Sequence, residues 1–467
     1  MGINKLLNRI EARLDATDEY EREPVPENKL KGWRAFLGMY AGEHTAGTEF
    51  VIGALFVAHG VSAVNLVLGL VVGNLLAVLS WAFLCAPVAV RTKLTLYWQL
   101  KKICGGNLAI IYNIVNAVMF CFLAGAMISV AATAVGLPFQ IPMPGLDDWL
   151  PTSVGWIVTV FLVGTVITVV AIAGYDYVAR FANISFPWMF LVFIAAALAV
   201  LPGLGVTSPS EFWTVAQERI WTGEPAPGLT QFTFWHVVFF SWFANMAMHI
   251  GMSDMSILRF AKKWQMGFSS AAGMFFGHFL AWMSSGILMA AAAGAVAPGL
   301  IAYNSAGVAG AICVVIAGWT TANPTIYRAG LAFQAVTPDW KRWKVTLFTG
   351  LVTTIIACFP ALVMNLLDFV ALYGLILMPM GAVILLDVIF FDKLNLVSNY
   401  AEKTGITFNW AAGLTWVLTL GLCLFINLYF GVEVFFLGLP GWFIAVLFYI
   451  VFSKLLQKKP ESATQSV

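Results

Sequence analysis

The side chains of this sequence best suited to binding a polar solute lie near its start, between Gly42 and Gly47. They are the carboxylate of Glu43, the imidazole of His44 and the hydroxyl of Thr45, with short apolar runs on both sides. Neither run can cross a bilayer alone, because a helical span needs about 20 residues, but together they make one span interrupted near its middle. Ionisable groups and interrupted backbone are tolerated at that depth where they line a cavity. The stretch therefore predicts one half of a solute site.

An alternative interpretation places residues 33–48 flat on the membrane surface and begins the first span near Phe50. Residues 50–90 would then have to contain two spans, with room for a turn only at His59 and Gly60. We therefore take the interrupted helix as the prediction for residues 33–58.

Two adjacent hydroxyls, those of Thr320 and Thr321, form a second group of polar side chains in an apolar run. Such hydroxyls often bond back to carbonyls one turn earlier in their own helix. They could instead bind a monovalent cation together with the Ala317 carbonyl, which would face the same way. Unwound carbonyls of the first span, those of Met39 and Gly42, would complete the shell. Neutral oxygen ligands of this kind suit Na⁺.

The composition identifies the environment that must position these groups. The chain has 467 residues, of which 60% are hydrophobic and only 10% charged, whereas soluble domains carry roughly 25% charged residues. An all-α polytopic membrane protein, with the lipid bilayer as its surroundings, is the class that this composition predicts. The net charge of +2 gives no indication of a nucleic-acid partner.

Hydropathy predicts twelve membrane-spanning helices. Of the 25 Lys and Arg residues, 24 fall on one side of this arrangement and only Arg219 falls on the other, which predicts a multi-pass protein of the cell membrane with both termini in the cytoplasm. The predicted spans are 33–58, 65–90, 105–135, 153–173, 182–202, 234–258, 267–294, 307–327, 345–366, 367–391, 409–428 and 434–453.

The sixth predicted span is the second strongly polar one. Five spans separate its start from that of the first, so two five-helix units would lie in opposite orientations, each opened by a broken helix. That is the inverted-repeat plan of many transporters, in which broken helices form a site at the midplane. The predicted division is a cytoplasmic segment 1–32, a first repeat 33–202, an extracytoplasmic loop 203–233, a second repeat 234–391, two further helices 392–453 and a cytoplasmic tail 454–467.

Several short motifs resemble the nucleobase–cation symporter family, which includes the purine and cytosine permeases. They are the pair Thr320 and Thr321, the run 73–76 (Gly-Asn-Leu-Leu), and the end of span six from His249 to Asp254 with 259–262 (Arg-Phe-Ala-Lys). The resemblance covers roughly residues 33–395. It implies a leucine-transporter-like fold, with two inverted five-helix repeats and two extra helices.

The resemblance also implies roles for individual residues. Thr320, Thr321 and the Ala317 carbonyl would hold Na⁺ between spans one and eight. Glu43 would contact the substrate, and Trp242 in span six would stack on a flat heterocycle. Where the family often has a Trp in span three, this chain offers Phe120 or Phe122.

Other polar residues of the predicted spans have two possible roles each. His44, Asn245 and Asn323 are expected near the inferred cavity, where the asparagines would bind substrate or bridge helices. Asp254 and Arg259 are expected to form a cytoplasmic gate or a structural pair. Asn113, Asn116 and His278 are expected to form hydrogen bonds between helices.

The predicted function is secondary active transport that imports a nucleobase or related small nitrogenous heterocycle by cation symport with alternating access. The coupling ion is expected to be Na⁺, with H⁺ as the other possibility, and no organic cofactor is expected. An amino-acid or amine symporter on the same fold is the alternative. Two broken helices without a pore-loop repeat argue against an ion channel, and no metalloprotease, serine-hydrolase or nucleotide-binding motif is present to indicate an enzyme or a pump.

Overall fold

The structure, a computed structural model, describes residues 11–12, 14–15, 19–144, 148–292, 298–361 and 366–458. Every regular element in these ranges is a helix, and extended backbone pairs only in isolated bridges such as that between Lys31 and Ala261. The predicted all-α class is confirmed.

The first span is broken where the sequence predicted. Helix α1, Leu37–Glu43, ends at His44, and helix α2, Glu49–Ala58, begins five residues later. Every residue from Gly38 to Phe50 is buried, so this segment does not lie on the membrane surface.

Four long helices of the first half follow the predicted spans, and one short helix lies between spans two and three. The largest difference is in the fifth, which begins at Tyr175 rather than at residue 182. Helix α5 has 31 residues and is the most buried of these helices, so it forms the centre of the bundle. The helices are α3, Ala63–Thr92; α4, Leu96–Cys104; α5, Gly106–Gly136; α6, Val154–Ile172; and α7, Tyr175–Val200.

The sixth span is broken twice, at Ala244 and Asn245 and again over residues 250–254. The predicted second broken helix is therefore confirmed. Helix α12 is longer than the predicted span eight, and it is kinked at Ala306 and Gly307. The helices of this half are α8, Phe234–Phe243; α9, Met246–His249; α10, Met255–Leu258; α11, Trp264–Ala292; α12, Pro298–Val336; α13, Arg342–Ala357; α14, Leu366–Leu385; α15, Tyr400–Thr404; α16, Trp410–Phe430; and α17, Val434–Leu456.

Nine helices in the described part of the chain are long and apolar enough to cross a membrane. The segments of the two broken spans and the 16-residue α13 are each shorter than that measure requires. The number twelve, which counts broken spans as single crossings, therefore stays a prediction.

The predicted end of span eight at residue 327 is too early. Helix α12 continues to Val336, and Arg328 is fully buried inside the protein. Arg259 and Arg342, which follow the predicted spans six and eight, are buried as well. The apolar window ends near residue 327, whereas the helix does not, because Arg328 is paired with Glu43 and Asp254 inside the protein.

Glycines let the helices that carry the site approach closely. A Cβ atom on Gly53 of α2 would lie 1.7 Å from the Ser285 hydroxyl and 2.4 Å from the Trp282 carbonyl of α11. Likewise, a Cβ atom on Gly318 of α12 would lie 2.7 Å from the Met127 carbonyl of α5. At these contacts α2 packs directly against the backbone of α11, and α12 packs directly against the backbone of α5.

Candidate functional site

A buried cavity lies beside the breaks of the first and sixth spans. The space inside it that a water-sized sphere can reach is about 90 Å³, which is less than the roughly 300–1,000 Å³ of a typical small-molecule site. Apolar side chains from α2, α5, α8 and α14 form most of its wall. The polar residues that line it are Glu43, His44, Thr48, Glu49, Asn245, His278, Thr321, Thr325 and Tyr373.

Three oxygen atoms meet where α12 passes the end of α1. The Thr321 hydroxyl lies 2.9 Å from the Glu43 carbonyl and 3.1 Å from the Ala317 carbonyl. The Thr320 hydroxyl also lies 3.1 Å from the Ala317 carbonyl. A hydroxyl has one proton to donate, so the Thr321 oxygen keeps lone pairs for another partner.

The structure brings together the predicted ligands of α12, which are Thr320, Thr321 and the Ala317 carbonyl. The carbonyl that α1 contributes differs from the predicted ones. The carbonyl bonded to Thr321 is that of Glu43, not of Met39 or Gly42. Gly42 instead packs against α7, where a Cβ atom would lie 3.1 Å from the Ala182 methyl group. Met39 is fully buried within α1.

The Glu43 carboxylate binds Arg328. One Glu43 oxygen lies 2.5 Å from Nη1 of Arg328 and the other lies 3.1 Å from Nη2. Arg328 Nη2 also lies 2.5 Å from Oδ1 of Asp254. The guanidinium of Arg328 in α12 thus binds two buried carboxylates. One comes from α1 and the other comes from the end of the sixth span.

Asp254 is held by neutral donors as well. Its Oδ2 accepts the Tyr40 hydroxyl at 3.0 Å and the Trp81 indole N–H at 2.6 Å. Arg259, its expected partner, donates instead to the Tyr20 carbonyl at 2.6 Å and to the Tyr327 hydroxyl at 3.2 Å. The expected pair of Asp254 and Arg259 does not form in the residues described.

A second carboxylate, that of Glu49, faces the cavity from the first turn of α2. It accepts the indole N–H of Trp282, and its other oxygen lies 3.6 Å from Nε2 of His278. Nδ1 of His278 lies 3.3 Å from the Asn245 amide nitrogen. Residues from the broken first span, the broken sixth span and α11 therefore meet at one side of the cavity.

His44 lies beside this group. Its ring centroid is 4.9 Å from that of His278, and its Nδ1 donates to the Tyr40 carbonyl at 2.7 Å. Glycines at 273 and 277 of α11 make room for the imidazole, since a Cβ atom at either position would come within 2.9 Å of His44 atoms.

Three of the predicted substrate residues are not among those that line the cavity. Trp242 points its indole N–H toward α3, where it donates to the Ser80 hydroxyl at 3.0 Å. Phe120 packs on Tyr373, which lines the cavity in its place. Asn323 is buried within α12, and its side-chain oxygen has no hydrogen-bond partner among the residues described.

Sequence reasoning did not single out Glu49 or Arg328. Glu49 could have been found as a second carboxylate inside the interrupted span, six residues after Glu43, since a charge at that depth indicates function. Arg328 follows Thr321 by seven residues, which places both on one face of a helix. Continuing the helical periodicity past the end of the apolar window would therefore have placed Arg328 on the same face as Thr321.

Trp242→Phe is expected to lower stability by about 1 kcal/mol, because it removes the bond to Ser80, and to leave solute binding unchanged. Thermal melting of the purified protein, with and without a bound solute, measures both effects. A tenfold or greater loss of solute affinity would show instead that this indole stacks on the solute.

Comparison with known proteins shows the fold. No protein-family model matches the chain, and no curated protein has a closely similar sequence. Among solved structures it is similar to Mhp1, a nucleobase-cation-symport-1 family transporter in a closed conformation with bromovinylhydantoin bound. The identity is 13%, the match covers 94% of this chain and 96% of that one, and the TM-score is 0.73.

Two other solved structures have the same architecture. A Na⁺-coupled sialic acid symporter in a substrate-bound outward-open state is 14% identical, with coverage of 98% of both chains and a TM-score of 0.64. MhsT in complex with L-phenylalanine is 14% identical, with coverage of 90% of this chain and 97% of that one and a TM-score of 0.56.

The chain has the leucine-transporter-like fold. Mhp1 belongs to the family that the sequence resembles, so the structural and sequence comparisons agree on the architecture. At identities of 13–14% these similarities define the fold, whereas the solute depends on the side chains around the cavity.

Proposed function

We propose that this protein is a secondary active transporter of the cell membrane that imports a nucleobase or related small nitrogenous heterocycle together with Na⁺, by alternating access. The observation that carries the proposal is the position of the cavity. It lies beside two broken helices, and oxygens of Thr321, Ala317 and Glu43 converge at its edge. Broken helices that bring backbone and side-chain oxygens to a midplane cavity are how transporters of this kind hold a solute and an ion.

The fold supports this proposal independently of the side chains. Structures with the same architecture include a Na⁺-coupled sialic acid symporter and a nucleobase-cation-symport-1 family transporter. With both termini in the cytoplasm, as the charge distribution predicts, import would begin from the side of the loop 203–233.

The coupling ion would bind between α12 and the end of α1. Thr320 and Thr321 would supply hydroxyl oxygens, and Ala317 and Glu43 would supply carbonyl oxygens. Because these ligands are neutral, they match a weakly bound monovalent cation better than Mg²⁺ or Ca²⁺, whose sites use carboxylates.

The valine substitutions Thr320→Val and Thr321→Val test the ion site, because valine keeps the shape of threonine and removes the hydroxyl. Each is expected to weaken Na⁺ binding, and the double variant is expected to lose the difference in melting temperature between NaCl and KCl. Thermal melting of the purified protein in NaCl and in KCl, with a panel of nucleobases, nucleosides and amino acids, measures ion and solute binding together.

Thr349→Val is the matched control. Thr349 is buried in α13 and donates to carbonyls of its own helix, so its removal should not alter the difference between Na⁺ and K⁺. Equal Na⁺ dependence in the wild type and in the Thr320/Thr321 double variant would contradict the proposal.

An amino-acid or amine symporter is the second candidate function, and one observation favours it. Glu49 places a carboxylate on the cavity wall, where an ammonium group could bind. The same solute panel separates this candidate from a heterocycle carrier.

A further inference from the structure

Glu49 is a buried carboxylate at the cavity without a basic partner. Its side chain is nearly inaccessible, and it receives a hydrogen bond from the Trp282 indole. Among the residues described, no Lys or Arg forms an ion pair with it. An isolated buried charge is costly unless it is paired.

Neither histidine of the cavity needs a positive charge to make its hydrogen bonds. Nδ1 of His278 faces the amide nitrogen of Asn245, which can only donate, so Nδ1 accepts and the ring is neutral. Its remaining N–H, on Nε2, points toward Glu49 at 3.6 Å. His44 needs only its neutral form to donate to the Tyr40 carbonyl.

With Glu49 ionised, the whole buried site would carry a net negative charge. Arg328 is shared by Glu43 and Asp254, so this trio of ionised groups carries one net negative charge. An ionised Glu49 would add a second. A single Na⁺ at the Thr321 oxygens would balance one of the two and leave one negative charge on the cavity wall.

We infer that the transported solute is itself an organic cation with N–H donors, such as a protonated amine, an amidine or a cationic aminated ring, and that Glu49 pairs with it. The inference rests on the proposed transport function and specifies the charge of its substrate. A carboxylate-bearing solute would meet a like charge there. A metal ion does not fit, since no group of three His, Cys, Asp or Glu residues in the described ranges could hold one.

Pairs of molecules that share a shape and differ in charge test the inference. In the first pair, benzamidine is a cation on an aromatic ring and benzamide is its neutral counterpart. In the second pair, cyclohexylamine is an alkyl ammonium cation and cyclohexanol is its neutral counterpart. Titration calorimetry on the full-length purified protein in NaCl is expected to show about tenfold tighter binding of the cation in at least one pair, since a hydrogen bond to a charged group is stronger by roughly that factor.

Glu49→Gln should remove most of this tenfold preference while keeping an acceptor for the Trp282 N–H. Glu218→Gln, at an exposed carboxylate of the extracytoplasmic loop, is the control and should keep the preference. Glu49→Asp retains the charge and should keep the preference in part, and the wild-type comparison decides the question even where Glu49→Gln does not fold.

Equal binding of both members of each pair, tighter binding of the neutral members, or binding of neither would overturn the inference. Equal binding would show that a proton neutralises Glu49. The effect of Thr320→Val and Thr321→Val on Na⁺ dependence is measured in a separate experiment. A negative result for the cationic substrate would therefore leave the proposed transport function untouched.

Discussion

Replacing Arg328 by methionine is expected to destabilise the protein by about 3–5 kcal/mol, because it leaves two buried carboxylates without their shared counter-charge. Glu43 would lose both of its hydrogen bonds to Arg328, and Asp254 would keep only Tyr40 and Trp81 as donors. The midpoint of thermal unfolding and the yield of monodisperse protein in detergent measure the loss. Arg328→Lys should recover it only in part, since an ammonium group cannot bind a carboxylate through two parallel donors.

Neutralising all three residues of the network shows how much of the lost stability is due to unpaired charge and how much is due to changed packing. In the triple variant Glu43→Gln, Asp254→Asn and Arg328→Met no unpaired charge remains, so most of the stability should return. Arg180→Met, at an exposed arginine of α7, is the control and should change stability little. If Arg328→Met melts like the wild type, the buried ion network described here is absent from the folded protein.

Gly53→Ala is expected to destabilise the protein by about 1–3 kcal/mol, because an added methyl group overpacks the contact between α2 and α11. The new Cβ atom would meet the Ser285 hydroxyl and the backbone of Trp282 and Gly286. The added methyl group would push α2 away from α11. Since Glu49 precedes Gly53 by one helical turn, this displacement would also weaken the hydrogen bond between Glu49 and Trp282. Thermal melting measures the first effect, and solute affinity measures the second.

Gly421→Ala is the matched control for this substitution. Gly421 lies within α16, and a Cβ atom there would meet nothing within 4 Å. Alanine should leave stability unchanged or raise it slightly, because it favours helix more than glycine does. Similar melting temperatures for the two alanine variants would show that α2 does not seat closely on α11.

Features that depend on local spacing could be predicted from the sequence. The break between Gly42 and Gly47 follows from two apolar runs too short to span alone. Thr320, Thr321 and the Ala317 carbonyl share a helix face because they lie three and four residues apart. These relations hold within one helix, whatever it packs against.

Features that depend on how helices are rotated against one another could not be predicted. Phe240, Phe243 and Ala244 face the cavity, whereas Trp242 faces α3. Each residue turns about 100° around a helix, and no sequence pattern here sets the phase of α8. Arg328 lies beyond the predicted end of span eight, and its burial could not be predicted because its partners, Glu43 and Asp254, are distant in sequence.

For the proposed alternating access, the ion network would also set the order of events if α1 parts from α12. Attraction between fixed charges is strong in a medium of low dielectric constant and weak in water. With Arg328 fully enclosed, pulling its carboxylates away in the dry state would expose bare charges to apolar surroundings. Water would therefore have to reach the guanidinium before these two helices could separate.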